Sequence, residues 1–570
     1  MLPPISLIAP LLQRWQALPA SLRLWLVRLG PYLLLLAGRL LLDGQLSPGR
    51  LLFGLLLFWL LALPLARWAA ASASLAIEFL LILASSIKEA QTGEPLLARD
   101  LLEVSQGVAL SSYIAPSMYV AAFLLLAALC FGLAYRPPRS RRHWLRALLL
   151  AAPLPLLLGI QVAWNDAAAK ILRSSLQTGG IRYHDYNYLL NVRENGLLTH
   201  LFQTAEVISA PRAGPHDFYV RQAEPLLDPT LPDVVMILCE GCFTTFDARF
   251  PTAMRQLEPL GFQPFYLLSP VYGGGTAEAE FEALTGLSSA VLPGIDYQGH
   301  AADFRPDART LVRRFREAGY RTSGLHNFYA NFWKRNQIYP RFGFDYTRFV
   351  EEMPWRTRSW PQDALLYDSA LDAYRQSPKA TRNFMFLITV RTHGAFTRSG
   401  GDYGRADYDF RLGEAMRDMT AFIGQLEKEA KQRQRPLAIA VFGDHKPSLT
   451  GAFERAGVLP SSLFRSRGPH NDDFHFVHRM TAEQWRARAE TAAYVRLPDS
   501  TVTQELAQRL DGRPIFCLPA ELSGLAPGSD DAFWHAVLAR CRQPAASLTI
   551  PEPAGWRKVF PLPLYGERLY

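Results

Sequence analysis

Four short apolar runs in the C-terminal half of the chain each stop at a polar residue. VVMIL leads to Glu240, the segment ending in GL leads to His326, FMFLITV leads to His393, and LAIAVFG leads to Asp444 and His445. Runs of this length and β-branched content, separated by helix-like segments, predict buried parallel strands. The intervening stretches ARTLVRRFREAGY, ALLYDSALDAYRQS and DYDFRLGEAMRDMTAFIGQLEKEAKQR are amphipathic and predict helices. A strand–helix alternation of this kind implies a mainly parallel sheet with helices on both faces. Ligands of such sheets sit at the carboxyl ends of the strands. A metal- or anion-binding residue at each strand end therefore predicts one shared site.

The N-terminal part is built differently. Roughly the first 170 residues are dominated by Leu and Ala, and the mean hydropathy of +0.01 averages two unlike halves. Apolar stretches near 24–42, 50–66, 69–86, 116–135 and 146–165 predict about five membrane-spanning helices. The first carries Arg28 and Arg39, so it is also compatible with an interfacial helix. Arg136, Arg139, Arg141, Arg142 and Arg146 cluster between the fourth and fifth stretches, and Arg14 and Arg23 precede the first. By the positive-inside rule both segments are expected in the cytoplasm. Five spans put them on the same side and carry everything after residue 166 to the other. The expected organisation is a membrane domain over 1–170, an interfacial helix and Pro-rich linker over 171–230, and an extracytoplasmic catalytic domain over 231–570. No small-residue cleavage site follows a short apolar core, so a removable signal peptide is not expected.

The net charge of +9 and pI near 9.3 raise nucleic acid as a partner. No basic patch with interleaved aromatics accompanies them, and arginines beside anionic lipid account for the charge. The five cysteines include Cys239 and Cys242 around Glu240, a lone CxxC, with Cys239 expected to point into the core. A Cys517–Cys541 disulfide is expected if that region lies outside the cytoplasm.

The chemistry-bearing residues are few. Thr276 follows three glycines and opens a helix. Glycines let a backbone approach a ligand closely, and a helix N-terminus favours a phosphate or sulfate oxygen. The plain alternative is an N-cap threonine. Glu240 and Asp444 are hard oxygen ligands and His445 a borderline one. With the Thr276 oxygen they make a mixed O/N set suited to Mn²⁺, Mg²⁺ or Zn²⁺ rather than Ca²⁺. His326 and His393 at equivalent strand ends read as substrate ligands or proton donors. In NFWKRN, Arg335 can hold a phosphate bidentately and Trp333 can cover a glycerol face.

LCEG, GGGTAEAEFEALTGL, LHNFYANFWKRNQIYPRFGFD, RTHGAF and FGDHKP, taken in order, resemble the lipoteichoic acid synthase and periplasmic glucan phosphoglycerol transferase group. That group belongs to the sulfatase-like branch of the alkaline phosphatase superfamily. TGEPLLARDL and the five-span layout are also similar to it, and the resemblance covers at least residues 20–450. It implies a divalent metal, Mn²⁺ before Mg²⁺ or Zn²⁺, held by Glu240, Thr276, Asp444 and His445. It makes Thr276 the nucleophile; in the mechanism expected for such a site, His393 protonates the departing diacylglycerol. It places His326, Trp333, Arg335 and His393 on the phosphoglycerol headgroup. LCEGC departs from a more usual serine-containing strand end, RTHGAF lacks a proline common after the glycine, and the tail from about 455 does not match.

The expected function is a membrane-embedded transferase at the bacterial inner membrane, with its catalytic domain on the periplasmic or extracellular side. It would move phosphoglycerol from a phosphatidylglycerol-like lipid to a hydroxyl on a glycan or polyol. Phosphoethanolamine transfer, or phosphodiester or sulfate-ester hydrolysis, on the same site is the alternative.

Overall fold

The computed structural model describes residues 17, 19–92, 94–102, 145, 148–162, 166–183, 188–205, 210–228, 230–292, 301–355, 360–467, 474–528, 530–550 and 553–570. The chain divides into two compact units, one of residues 1–88, 95–184 and 188–207, the other of residues 89–94, 185–187 and 208–570.

In the first unit, helices span Ala20–Asp43, Pro48–Leu61 and Arg67–Thr92. Among the described residues only Arg67–Glu89 is long and apolar enough to cross a membrane by length and composition. Of the five expected spans, that one passes this test among the described residues. The stretch near 50–66 is helical only over Pro48–Leu61, 14 residues, which reach about 21 Å against roughly 30 Å of hydrocarbon. The apolar helix Leu148–Ile160 is short in the same way. The stretch 116–135 and the arginines from Arg136 to Arg142, with Arg146, lie outside the described residues. Arg39 is buried and its Nε donates to Glu78 Oε2 at 3.0 Å. Gly54 makes room for it, because a Cβ there would overlap the guanidinium.

The second unit carries an eight-stranded sheet and a two-stranded hairpin. The strands are β1 Asp233–Cys239, β2 Gln263–Leu268, β3 Tyr320–His326, β4 Tyr346–Arg348, β5 Arg382–Ile388, β6 Leu437–Gly443, β7 Phe464–Arg467, β8 Phe474–Phe476, β9 Glu490–Arg496 and β10 Arg513–Pro514. The sheet order is β10-β2-β9-β6-β1-β5-β3-β4, with β7 paired to β8 apart from it. All its pairings are parallel except those of β9, which runs antiparallel to both β2 and β6.

Every residue of β1 is buried, as expected of a central strand covered on both faces. Val234, Met236 and Leu238 join one core with Phe281, Leu284 and Phe315 from the helices Thr276–Thr285 and Leu311–Glu317. Val235 and Ile237, which alternation sends to the other face, are equally buried. The tail without a match supplies β9, β10 and the bonded pair Cys517–Cys541, with Cα atoms 5.8 Å apart. Its role in the sheet is structural: β9 fills the place between β6 and β2.

Candidate active site

The register brings the strand ends level. Cys239 lies opposite Gly443, Leu238 opposite Ile388, and His326 opposite Ile388. The residues that follow Cys239, Ile388 and Gly443 therefore emerge along one rim.

Glu240 leaves β1 into a turn in which Gly241 has φ 56°, a conformation most side chains avoid. The Gly241 N–H donates to Asp444 Oδ1 at 2.7 Å, tying the ends of β1 and β6 together. Gly443 is required there, since a Cβ would strike the Cys242 carbonyl. Cys239 is buried as expected, but it is also bonded to Cys242, so the CxxC brackets Glu240 as a disulfide.

Glu240, Asp444 and His445 can each offer one atom, and these atoms all lie within 4.8 Å of one another. His445 Nε2 is 3.1 Å from Asp444 Oδ2 and 3.6 Å from Glu240 Oε1. Asp444 Oδ2 and His445 Nε2 are buried and face each other. The His445 Nδ1 lies 2.9 Å from the Lys446 carbonyl. A carbonyl only accepts, so Nδ1 carries a proton toward it; Nε2 faces the carboxylates, and a cation bound there would take the place of the proton that Nε2 otherwise shares with them. Thr276 opens the helix Thr276–Thr285 as its first residue, not its cap, and its hydroxyl donates to Glu240 Oε2 at 2.9 Å.

The electrostatics are those of a cation site. Burial, then the neighbouring Asp444 charge, pushes the Glu240 carboxyl up. Burial alone would pull His445 down, but Asp444 and Glu240 drive it up to about 9. Two buried carboxylates converging on one point are stabilised by a divalent ion. The donor set of two carboxylates, one imidazole and one hydroxyl fits Mn²⁺, Mg²⁺ or Zn²⁺.

Beside this cluster opens a space of about 430 Å³, solvent included. Glu240 and Thr276 form one wall, His326, His393 and Arg335 a second, and Phe328, Phe332, Trp333 and Trp360 a third. The structure thus gathers every residue singled out from the sequence around one pocket and its adjoining cluster. His326 Nδ1 lies 2.9 Å from the Ile388 carbonyl and His393 Nδ1 2.8 Å from the Gly394 carbonyl. Each therefore holds its proton on Nδ1 and leaves Nε2 as an acceptor. Burial, then Arg335, pulls His326 well below the usual range. Burial likewise takes His393 down to about 4, so both rings are neutral near pH 7.

Arg335 is fully buried. Its Nε and Nη2 reach Glu280 Oε2 at 2.9 and 2.8 Å, and Tyr339 Oη donates to Glu280 Oε1 at 2.7 Å. Glu280, an acid in the second turn of the helix Thr276–Thr285, anchors this arginine. Trp333 and Lys334 both have left-handed φ, 55° and 50°. Such residues cost about 1–2 kcal/mol each and concentrate at functional sites. Here they form the kink between the aromatic Trp333 and the buried Arg335. Trp360, which no sequence signal marks, stacks on His393 with ring centroids 4.2 Å apart.

Residues 232–487 match the sulfatase family. A protein of Rhizobium meliloti (strain 1021) named for cyclic beta-1,2-glucan modification is 30% identical over 274 residues, 45% of this chain and 42% of that protein. The chain spans less than half the length of the curated relatives it matches. Among solved structures, the lipooligosaccharide phosphoethanolamine transferase A of Neisseria meningitidis aligns over 84% of this chain and 92% of its own, at 12% identity and TM-score 0.46. The lipoteichoic acid synthase LtaP of Listeria monocytogenes aligns over 57% and 80%, at 15% identity and TM-score 0.40.

Proposed function

We propose that the protein, whose residues 232–487 match the sulfatase family, is a membrane-bound phosphoglycerol transferase. Its donor is a phosphatidylglycerol-like lipid and its acceptor a hydroxyl on a glycan or glycerol polymer. The observation that carries this is the Thr276 hydroxyl, 2.9 Å from Glu240 at the edge of a carboxylate–imidazole cluster and facing a pocket that also holds Arg335.

A divalent cation on Glu240, Thr276, Asp444 and His445, Mn²⁺ ahead of Mg²⁺ or Zn²⁺, would lower the pKa of the hydroxyl and screen the phosphate charge. Arg335 and the helix start at Thr276 bind the phosphate oxygens. In the first displacement the bond from Thr276 Oγ1 to phosphorus forms and the bond from phosphorus to the diacylglycerol oxygen breaks. The proton of the threonine hydroxyl ends on that oxygen, relayed by His393 Nε2. In the second, the acceptor oxygen bonds to phosphorus, the bond from phosphorus to Thr276 Oγ1 breaks, and the acceptor's proton passes through His393 Nε2 to that oxygen, restoring the hydroxyl. Splitting one transfer into two is the logic of covalent catalysis.

Charge supports a glycerol headgroup. Arg335 and the cation cluster already bring positive charge to the pocket, and among its described lining residues Glu240 is the one carboxylate. An ammonium headgroup meets repulsion without a counter-ion, whereas glycerol can lie against His326 and Trp333. The two disulfides fit a catalytic unit outside the cytoplasm.

The test is the full-length protein in detergent, incubated with labelled phosphatidylglycerol or phosphatidylethanolamine, read by diacylglycerol release and by mass spectrometry of the Thr276 peptide. Phosphatidylglycerol should leave a phosphoglycerol mass on Thr276, and Thr276→Ala should abolish both signals. A phosphoethanolamine mass would shift the assignment to that donor. A Thr276→Ala protein releasing diacylglycerol at the wild-type rate would end the proposal.

A further inference from the structure

Asp363 takes no part in the chemistry above, yet it is completely buried between two of the strand ends that build the site. It begins the helix Asp363–Gln376. One of its oxygens, Oδ1, accepts from Asn327 Nδ2 at 2.9 Å, from the Val390 N–H at 3.1 Å and from the Arg391 N–H at 3.2 Å. Asn327 directly follows His326. Val390 and Arg391 open the short loop that ends in His393. The same loop grips Glu240 from behind: Thr389 Oγ1 accepts the Glu240 N–H at 3.0 Å, and the Thr392 hydroxyl donates to the Glu240 carbonyl.

Three residues before Asp363 stands Trp360, stacked on His393. The carboxylate therefore links the segment bearing the stacking indole to the loop bearing the stacked imidazole. We propose that Asp363 is a positioning residue that sets His326 and His393 in the pocket by drawing Asn327 and the 390–391 amides onto one carboxylate oxygen. The role rests on the transferase function proposed above.

The arrangement is costly as a mere structural latch. Asp363 Oδ2 is buried with no hydrogen-bond partner, and an orphaned carboxylate oxygen lowers stability. Burial pushes the carboxyl up to about 6 while the N–H donors pull the other way. What the charge supplies is a stronger pull on the amides than a neutral acceptor would exert, and hence tighter placement of the residues they precede.

The test uses the full chain in detergent with Asp363→Ala and Asp363→Asn. Two quantities are read on protein shown to be folded by its melting curve: kcat and KM for diacylglycerol release from phosphatidylglycerol, and hydrogen exchange of the 389–393 amides. A misplacement near 1 Å costs about 100-fold in rate, so Asp363→Ala should lower kcat by about that factor, with loss of protection at Val390 and Arg391. Asp363→Asn keeps an acceptor oxygen and should recover at least about 10-fold of the lost kcat and most of the protection, since neutral hydrogen bonds retain roughly half the strength of charged ones. Folded Asp363→Ala with kcat within twofold of wild type would overturn the proposal, as would Asp363→Asn no better than alanine. Either result leaves the transferase assignment standing. That assignment fails instead if the wild-type protein forms no adduct on Thr276.

Discussion

Removing Glu280 should damage stability and activity together, by amounts that the pair geometry sets. Glu280 and Arg335 have side chains 0% and 1% exposed. Three hydrogen bonds end on the carboxylate, two from Arg335 and one from Tyr339. Glu280→Ala leaves the guanidinium buried without its counter-charge, and breaking a buried pair by deleting one partner costs about 3–5 kcal/mol. Deleting both charges is a different matter. Glu280→Gln with Arg335→Gln should regain at least about 2 kcal/mol over Glu280→Ala, because no lone charge remains. Activity should not return with it. A loose Arg335 in Glu280→Ala, or its absence in the double variant, leaves the donor phosphate misplaced, and kcat/KM for the lipid should fall about 100-fold in either protein. Chemical unfolding of the full chain in detergent gives the first quantity and steady-state diacylglycerol release the second. The reasoning is refuted if Glu280→Ala loses less than about 1 kcal/mol, against the range expected for a buried pair, or if it keeps wild-type kcat/KM.

Other outcomes follow from the same geometry. Chelation of divalent cations should abolish transfer and lower the unfolding free energy by about 2.7 kcal/mol relative to protein held at 100 times the dissociation constant; unchanged activity after elemental analysis shows the metal gone would contradict this. His393 is held at about 4 by burial, below its unfolded value of about 6.5. The unfolded chain therefore binds the proton first. Stability present above pH ~6.5 is lost as pH falls toward 4, by up to roughly 3 kcal/mol for this residue. Unfolding midpoints measured between pH 7.5 and 4.5 should show a shallower acid loss in His393→Gln, and an identical slope would count against the buried neutral ring. Lys334→Gly relieves a left-handed φ and should stabilise by about 0.5–1 kcal/mol after the entropic cost of glycine; destabilisation beyond 1 kcal/mol in the same assay would show that the lysine side chain matters more than its backbone.

Much of the catalytic unit is legible in the chain. A run such as VVMIL is apolar at every position, which only a strand covered on both faces tolerates, and it ends where a polar residue must leave the core. That logic locates Glu240, His393 and Asp444 without coordinates, and the glycines before Thr276 mark the close approach. The membrane part was less legible. Leu-rich composition signals an apolar environment but not helix length, and Pro48–Leu61 stops short of a span.

Glu280, Trp360 and Asp363 were invisible for a different reason. Each acts on a partner distant in sequence: Arg335 lies 55 residues from Glu280, and Asn327 lies 36 from Asp363. An acid in a helix looks the same whether it faces solvent or a buried guanidinium.

By itself, then, the order of residues settled the four strands β1, β3, β5 and β6 and which side chain closes each one, because burial and alternation are properties of a local stretch. The lateral order β9-β6-β1-β5-β3, the reversed insertion of β9, and the meeting of Glu240 with Asp444 and His445 across neighbouring strands were decided only in three dimensions. Strand neighbours are chosen by packing of both sheet faces at once, and no local window of sequence contains that choice.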